Sequence, residues 1–342
     1  MIQPAATLPS DVLLAVTGLS KHFHVHKALT RRVTGTVKAV DDVSFDIRRG
    51  ECLGLVGESG SGKTTTGRCI LRAIEPTAGE LLWNDADGAV DLLALDRKEL
   101  RRFRRHMQMI FQDPYSSLNP RMTVTEIIGE PLLVHGIARG NALKQRVRQL
   151  MRQVGLDERY LNRYPHAFSG GQRQRIGIAR ALALHPQLVV ADESVSALDV
   201  SMQAQILNLL EDLKREFHLT YLFIAHDLSV IRHFCTRVAV MYAGRLVEVA
   251  DTKALFAKPL HPYAEALLSA APKPDPRTKM KRILLTGEVP DPADVPPGCA
   301  FHPRCRYAQD VCRTQRPPLR NLSDARSVSC HFAEQLNLAG VV

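Results

Sequence analysis

The sequence lacks any long hydrophobic run. No stretch of its 342 residues approaches the ~20 consecutive apolar residues that a membrane-spanning helix needs. The first sixteen residues, MIQPAATLPSDVLLAV, lack the basic start and the long apolar centre of a signal peptide. These absences predict a soluble cytoplasmic protein, in which cysteines stay reduced.

The sequence also lacks internal repeats and an acidic surplus. It holds 45 Lys and Arg against 35 Asp and Glu, a net charge of +10, which suits an anionic partner surface or a plain solvated one. In the basic segment 96–108, the single Phe, Phe103, forms a weak helical apolar stripe with Leu100. We therefore predict a solvated helix face there rather than an arm that binds nucleic acid through stacked aromatic residues. With 45% hydrophobic residues the chain has an ordinary globular composition.

What the sequence does contain is a phosphate-binding loop. Residues 57–64, GESGSGKT, match G-x-x-x-x-G-K-[ST] at every fixed position and follow the apolar run 53–56. The glycines let backbone N–H groups point at a phosphate, and the next helix presents its positive N-terminus to the anion. Lys63 can reach the β- and γ-phosphates, and the Thr64 hydroxyl can hold Mg²⁺.

Further polar residues stand at the ends of apolar runs. Gln112, the pair Asp192-Glu193, and His226 each end or follow a run that reads as a buried strand. In parallel α/β sheets ligands bind beyond the carboxyl ends of the strands, so these groups are predicted to converge on one phosphate. One carboxylate can hold the metal through water while the other polarises an attacking water. His226 can donate to the γ-phosphate.

A second anion-binding helix terminus is predicted at residues 169–172, SGGQ. Ser169 is a good N-cap, and the glycine pair exposes N–H groups at the start of a helix. Helical periodicity over 123–160 predicts a helical insertion before it. From about residue 256 the chain becomes rich in proline, which predicts a loop-rich module.

Six motifs resemble, in chain order, the Walker A, Q-loop, signature, Walker B, D-loop and H-loop of the ABC ATPases. They are residues 57–64, Gln112, 169–172, 189–193, 196–199 and His226. The resemblance covers roughly residues 11–250. It implies an α/β fold: a P-loop NTPase (RecA-like) core with an antiparallel β subdomain and a helical insertion. We expect this ATPase domain at residues 1–255, its helical subdomain at about 113–180, and a separate C-terminal module at 256–342.

The resemblance also implies a role for each site residue. Glu193, His226 and Gln112 would be catalytic, and Thr64, Gln112 and Asp192 would hold Mg²⁺. The residues implied to bind ATP are Phe23 (stacked on the adenine), Val40, Gly57, Glu58, Ser59, Gly60, Ser61, Gly62, Lys63, Thr64, Thr65, Gln112, Asp192, Asp199, Ser169, Gly170, Gly171 and Gln172. Many relatives have proline at the position of Ser194, a departure that replaces no functional group.

The implied partners follow from the same resemblance. ATP would lie between two ATPase subunits, copies or paralogues, in a head-to-tail dimer, with Ser169 and Gly171 contacting the γ-phosphate in the other subunit's loop. Two transmembrane permease subunits and, indirectly, an extracytoplasmic solute-binding protein complete the set, with no nucleic acid. The chain would lie on the cytoplasmic face of the inner membrane.

Two alternatives to transport remain. A non-transport ABC ATPase acting on DNA or ribosomes would have a long coiled-coil insertion or a second cassette, and neither is present in the sequence. A P-loop kinase or GTPase would have no use for residues 169–172.

The C-terminal segment resembles one particular group of ABC ATPases. Residues 260–263, LHPY, and 296–301, PPGCAF, resemble the C-terminal region of dipeptide, oligopeptide and nickel importer ATPases.

Four of the seven cysteines lie in this C-terminal segment: Cys299, Cys305, Cys312 and Cys330. Their spacings of five, six and seventeen residues match neither zinc ribbons nor ferredoxins. Inert thiols remain possible, but a metal site fits the clustering better. The resemblance favours a [4Fe–4S] cluster, while His302 and His331 as spare ligands would favour zinc.

Overall fold

The computed structural model describes residues 8–26, 33–86, 88–196, 198–270, 283–323 and 326–341. The chain forms two compact units. The first unit comprises residues 1–48, 52–93 and 225–342, and the second comprises 49–51 and 94–224. This division by contacts does not test the boundary expected near residue 256, which stays a prediction.

The helices and strands are numbered here along the chain. They are β1 Val12–His26, β2 Val33–Arg48, β3 Cys52–Val56, α1 Lys63–Ile70, β4 Ala78–Asp85, β5 Gly88–Asp91, α2 Arg97–Phe103, β6 Met107–Ile110, α3 Val124–Val134, α4 Gly140–Gln153, α5 Gly170–Leu182, β7 Leu188–Asp192, α6 Val200–Phe217, β8 Thr220–Ile224, α7 Leu228–Phe234, β9 Arg237–Tyr242, β10 Arg245–Asp251, α8 Thr252–Ala257, α9 Pro262–Ser269, α10 Asp310–Thr314, β11 Arg320–Ser323 and β12 Arg326–Val328.

The first unit contains an antiparallel sheet in the order β2, β1, β4, β5. In β2 the alternate residues Val43, Phe45 and Ile47 are buried, as expected for a strand with one face on the core. In β4 three consecutive residues, 81–83, are buried. The sequence predicts the second strand from Val40, whereas β2 begins at Val33. The additional residues pair with the far end of β1, a contact that apolar alternation does not reveal.

The first unit also contains strands in the order β11, β12, β10, β9, β3. β3 runs parallel to β9, and the remaining neighbours are antiparallel. All five residues of β3 are buried, which is the reason the sequence reads as a continuous apolar run. Residues 283–319 are described mostly as loops and turns around α10, as the proline content predicts.

The second unit contains the parallel strands β8, β7 and β6, in this order. β7 and β8 are fully buried. α3 and α4 lie within residues 123–160, where the sequence predicts helices. They pack on one another and on α5, and the subdomain bounds of about 113–180 stay a prediction. In α2 only Leu100 is buried, so its basic residues form the solvated face that the sequence predicts.

Within the described ranges, no helix combines the length and the apolar character needed to cross a membrane.

Candidate functional site

The phosphate loop lies in the first unit, between β3 and α1. Gly57 has φ +154° and Gly62 has φ +102°, backbone conformations that side chains other than glycine rarely adopt. A Cβ on Gly57 would overlap the carbonyl oxygen of Met241, and one on Gly62 would overlap that of Ala39. Glycine is therefore required at both positions by close backbone approach as well as by conformation.

Lys63 is held against the backbone of this loop. Its Nζ donates to the carbonyl oxygens of Gly57 at 2.8 Å and Glu58 at 2.9 Å, and lies 3.4 Å from the Ser61 hydroxyl oxygen. The side chain is buried, and α1 begins at this residue. The cation thus lies at the loop and at a helix N-terminus, an arrangement that favours an anion.

Glu58, the second residue of the loop, is held by residues far along the chain. Its backbone N–H donates to the Tyr263 hydroxyl oxygen at 2.8 Å, and its carboxylate accepts two bonds from Arg304, at 2.7 and 3.1 Å. Burial raises the pKa of the Tyr263 hydroxyl, which therefore stays protonated. Sequence reasoning missed both contacts, because no local pattern links positions 205 and 246 residues apart.

In the second unit, β7 ends at Asp192, which is buried, and Glu193 follows with φ +45°. This left-handed conformation is unfavourable for a residue with a side chain. It is held by a bond from the Glu193 N–H to the Ile224 carbonyl oxygen at 2.9 Å and by bonds from the Ser196 N–H and hydroxyl to the Glu193 carbonyl oxygen. Such strain is typical of functional positions.

The structure brings Gln112 and Glu193 together. Gln112 Nε2 donates to Glu193 Oε2 at 2.7 Å, so the amide orients one oxygen of the carboxylate. Gln112 itself is exposed and follows β6. The sequence predicted a common location for these two side chains, and their roles stay predictions.

Residues 169–172 form the predicted capping structure at the start of α5. The Ser169 hydroxyl accepts from the Gln172 N–H at 3.3 Å, and Gln172 Oε1 accepts from the Ser169 N–H at 3.1 Å. A Cβ on Gly171 would overlap the side chain of Met202. Close packing therefore favours glycine at position 171. Because Gly170 and Gly171 have no side chains, nothing of their own covers their N–H groups at the start of the helix.

The other predicted site residues occupy different environments. Phe23 is 39% exposed, with Lys21 Nζ 5.0 Å from its ring centre, whereas Val40 is fully buried. Asp199 caps α6 by accepting from the Met202 N–H at 2.9 Å. His226 is exposed and lies in the first unit. The nucleotide-binding roles of these residues stay predictions.

The four clustered cysteines line one cavity of about 20 Å³. The Cys299 N–H donates to the Cys312 carbonyl oxygen at 2.9 Å. Burial raises the pKa of Cys299 to about 12 and that of Cys305 to about 11. In the described part of the chain, no three His, Cys, Asp or Glu side chains are arranged to hold a metal ion. This geometry therefore does not support the predicted iron–sulfur cluster or zinc ion.

Comparison with known proteins matches two segments of the chain to family models. The family model "ABC transporter" matches residues 40–196, and "Oligopeptide/dipeptide transporter, C-terminal region" matches residues 247–312. A relative in Brucella ovis, whose name describes a peptide import ATP-binding protein, is 52% identical over 93% of this chain and 97% of its own. The oligopeptide transport ATP-binding protein AppF of Bacillus subtilis is 48% identical over 94% of this chain and 98% of its own.

Solved structures also match the fold of this chain. The ATP-binding cassette MJ0796, in a dimer bound to ADP and Pi, matches with a TM-score of 0.62 and 29% identity over 70% of this chain and 99% of that chain. CbiO1 from Clostridium perfringens matches with a TM-score of 0.60 over 72% of this chain and 92% of its own, and at 24% identity it shows the fold alone.

The fold and the phosphate loop define an ATPase of the P-loop class, built as an ATP-binding cassette. The chain belongs to the ABC transporter family, in the group of oligopeptide and dipeptide transporter ATP-binding proteins. The predicted family, fold class and ATPase activity are thereby confirmed.

Proposed function

We propose that this chain hydrolyses ATP to drive the import of peptides through a membrane permease. The observation that carries the proposal is the pairing of an ATPase region with a tail of the peptide-transporter type in one chain. Relatives named for peptide import and oligopeptide transport match along almost its whole length, which supports the same cargo class here.

In this proposal Lys63 and the loop N–H groups bind the ATP phosphates. Thr64, Asp192 and Gln112 would hold the Mg²⁺, which would neutralise negative charge on the phosphates. Phe23 and Val40 contact the adenine, and His226 donates to the γ-phosphate. The buried position of Lys63 and its contacts with the loop carbonyls support the phosphate assignment.

Glu193 is the proposed base that polarises the attacking water. Its backbone is left-handed, and the bond from Gln112 holds one oxygen of its carboxylate in place. Because Gln112 precedes the loop 113–121, most of whose residues are exposed, it can also pass movement of that loop to the carboxylate.

We further propose that two such ATPase subunits bind ATP between them. Ser169, Gly170, Gly171, Gln172 and Asp199 of one subunit would complete the phosphate site of the other, and the capped start of α5 suits an anion there. The related cassette MJ0796 is described as a dimer. The pair would sit on the cytoplasmic face of the membrane against two permease subunits, which receive peptides from an extracytoplasmic binding protein.

The experiment that tests the catalytic role is Glu193→Gln in the purified chain. ATP binding should persist while turnover falls by about a thousandfold, the scale of losing a general base together with its positioning. Glu211→Gln is the matched control, because Glu211 lies on α6 in the same unit and forms an ion pair with Arg215 at 3.1 Å. Unchanged turnover in Glu193→Gln would remove Glu193 as the base.

The cargo is tested by uptake in cells whose own copy is replaced by the wild-type or the Glu193→Gln chain. Labelled di- and oligopeptides should accumulate with the wild type only. If nickel alone accumulates, or if neither cargo depends on the chain, peptide import is wrong.

We also propose that Cys299, Cys305, Cys312 and Cys330 bind a metal centre, a [4Fe–4S] cluster or else zinc. Four thiols around one cavity are the donor set that both groups use. The cavity is small, so binding requires the cysteine loops to rearrange. The metal must also displace the protons that burial favours on Cys299, Cys305 and Cys330, whose pKa values it raises.

Anaerobic purification of the full chain tests this metal site. A cluster should give iron on elemental analysis with a broad absorbance near ~400 nm, and Cys299→Ser should lose both. Zinc without iron would refute the cluster and keep the site, whereas neither metal would refute the site itself.

A further inference from the structure

Glu58, in the phosphate loop, is held by hydrogen bonds from both its backbone and its side chain. Its N–H donates to the Tyr263 hydroxyl oxygen, its carbonyl oxygen accepts from Lys63 Nζ, and its carboxylate accepts two bonds from Arg304. Every hydrogen-bonding group of this residue is thus engaged. One of the engaged partners, Lys63, is the cation of the loop itself.

Tyr263 reaches the loop from α9 and is fixed in place. Its ring is completely buried and packs at 4.6 Å from the ring centre of Tyr242 and at 5.4 Å from that of Phe301. A hydroxyl on a ring enclosed in this way has little freedom to move. It therefore offers the Glu58 N–H an acceptor at a defined position.

Arg304 reaches the loop from a 3-10 turn over His302–Arg304. Its side chain is only 7% exposed, compared with 29% for Glu58, and it also donates to the Tyr242 hydroxyl oxygen at 3.4 Å. The planar guanidinium binds a carboxylate through two parallel bonds, which fixes direction as well as distance. The Arg304 backbone is itself held by a bond to the Phe301 carbonyl oxygen.

The loop needs such fixed points because of its composition. Gly57, Gly60 and Gly62 all have positive φ, and glycine loses the most conformational freedom when a single geometry is imposed. A loop that orders only on binding spends binding free energy on that ordering, whereas a loop already held does not. Contacts at Glu58 hold the segment between the first two of these glycines.

We propose that Tyr263 and Arg304 are positioning residues that hold the phosphate loop in its ATP-binding conformation through Glu58. This inference rests on the proposed role of the loop as the ATP phosphate site. It gives the C-terminal module a direct part in nucleotide binding. The module would otherwise be an appendage to the ATPase.

The alternative is that these contacts only stabilise the C-terminal module. Arg306 provides the matched control, because it lies two residues from Arg304 and also makes two bonds to one carboxylate, at 3.0 Å each, but to Glu265 of α9. A structural effect would appear in both arginine variants. A positioning effect on the loop belongs to Arg304 alone.

The test measures ATP dissociation constants and thermal unfolding of the full chain. Arg304→Gln should raise the dissociation constant about tenfold, and Tyr263→Phe, which removes a single oxygen atom, about fivefold. Arg306→Gln should leave the constant unchanged even if it unfolds at a lower temperature.

Unchanged affinity in Arg304→Gln and Tyr263→Phe would overturn the proposal, as would an equal loss in Arg306→Gln. Tyr263→Phe decides the matter if Arg304→Gln does not fold. Lys63→Ala separates this inference from the proposed function. If Lys63→Ala abolishes ATP binding while the Arg304 and Tyr263 variants bind normally, the ATP site stands and only the positioning role fails. If Lys63→Ala still binds ATP, the loop is not the phosphate site and both proposals fail.

Discussion

His261 should make the folded protein lose stability as the pH falls. Its side chain is 1% exposed, and its Nδ1 accepts from the Tyr263 N–H at 3.0 Å, so the ring proton lies on Nε2. The His261 N–H donates to the buried Glu248 carboxylate at 2.8 Å. Burial lowers the pKa of the His261 imidazole from 6.5 to about 3.

The size of the effect follows from proton linkage. Below pH 6.5 the unfolded chain binds a proton at this histidine, whereas the folded chain stays neutral down to about pH 3. Stability contributed by His261 is therefore complete above pH 6.5 and is lost on acidification. The loss amounts to about 1.4 kcal/mol for each pH unit, or ~2 kcal/mol between pH 6.5 and 5.

The assay is urea unfolding of the wild type and of His261→Asn at several pH values from 7.5 to 5. Asparagine can still accept the bond at the start of α9 but does not titrate. Below pH 6.5 the slope of the unfolding free energy against pH should therefore fall by ~1.4 kcal/mol per unit, and above it the slopes should agree. His218→Asn is the control, since His218 is exposed with φ +52°, a conformation that asparagine tolerates. Equal slopes in wild type and His261→Asn would refute the reasoning.

Three further changes test other parts of the structure. Gly62→Ala should abolish binding of labelled ATP, because the new Cβ would overlap the Ala39 carbonyl oxygen at a φ of +102°; retained binding would contradict this. Arg326→Ala should lower the unfolding free energy by about 3–5 kcal/mol, measured by chemical denaturation, because it leaves the fully buried Glu248 without its ion pair at 2.7 Å; a loss within error of zero would argue against that pairing. Ser169→Ala should cost about 1 kcal/mol through loss of the helix cap, seen as a lower melting temperature that Ser169→Asp recovers.

Features that depend on spacing along the chain could be predicted from the sequence. The phosphate loop, the capped start of α5 and the buried strands β7 and β8 lie where the residue patterns place them. Each of these depends on hydrogen bonds or periodicity within a few residues. The clustering of four cysteines in the tail led us to predict a metal site. The four line one cavity, but among the described residues their arrangement does not support a metal centre.

Other features were decided only by the tertiary structure. The left-handed conformation of Glu193 depends on a bond from β8, and the neutral state of His261 depends on complete burial. The contacts of Tyr263 and Arg304 with Glu58 join positions 205 and 246 residues apart. Sequence patterns show which residues can bind a phosphate or bury an apolar side. They do not show which distant side chains will pack against them, because that depends on how all the segments fold together.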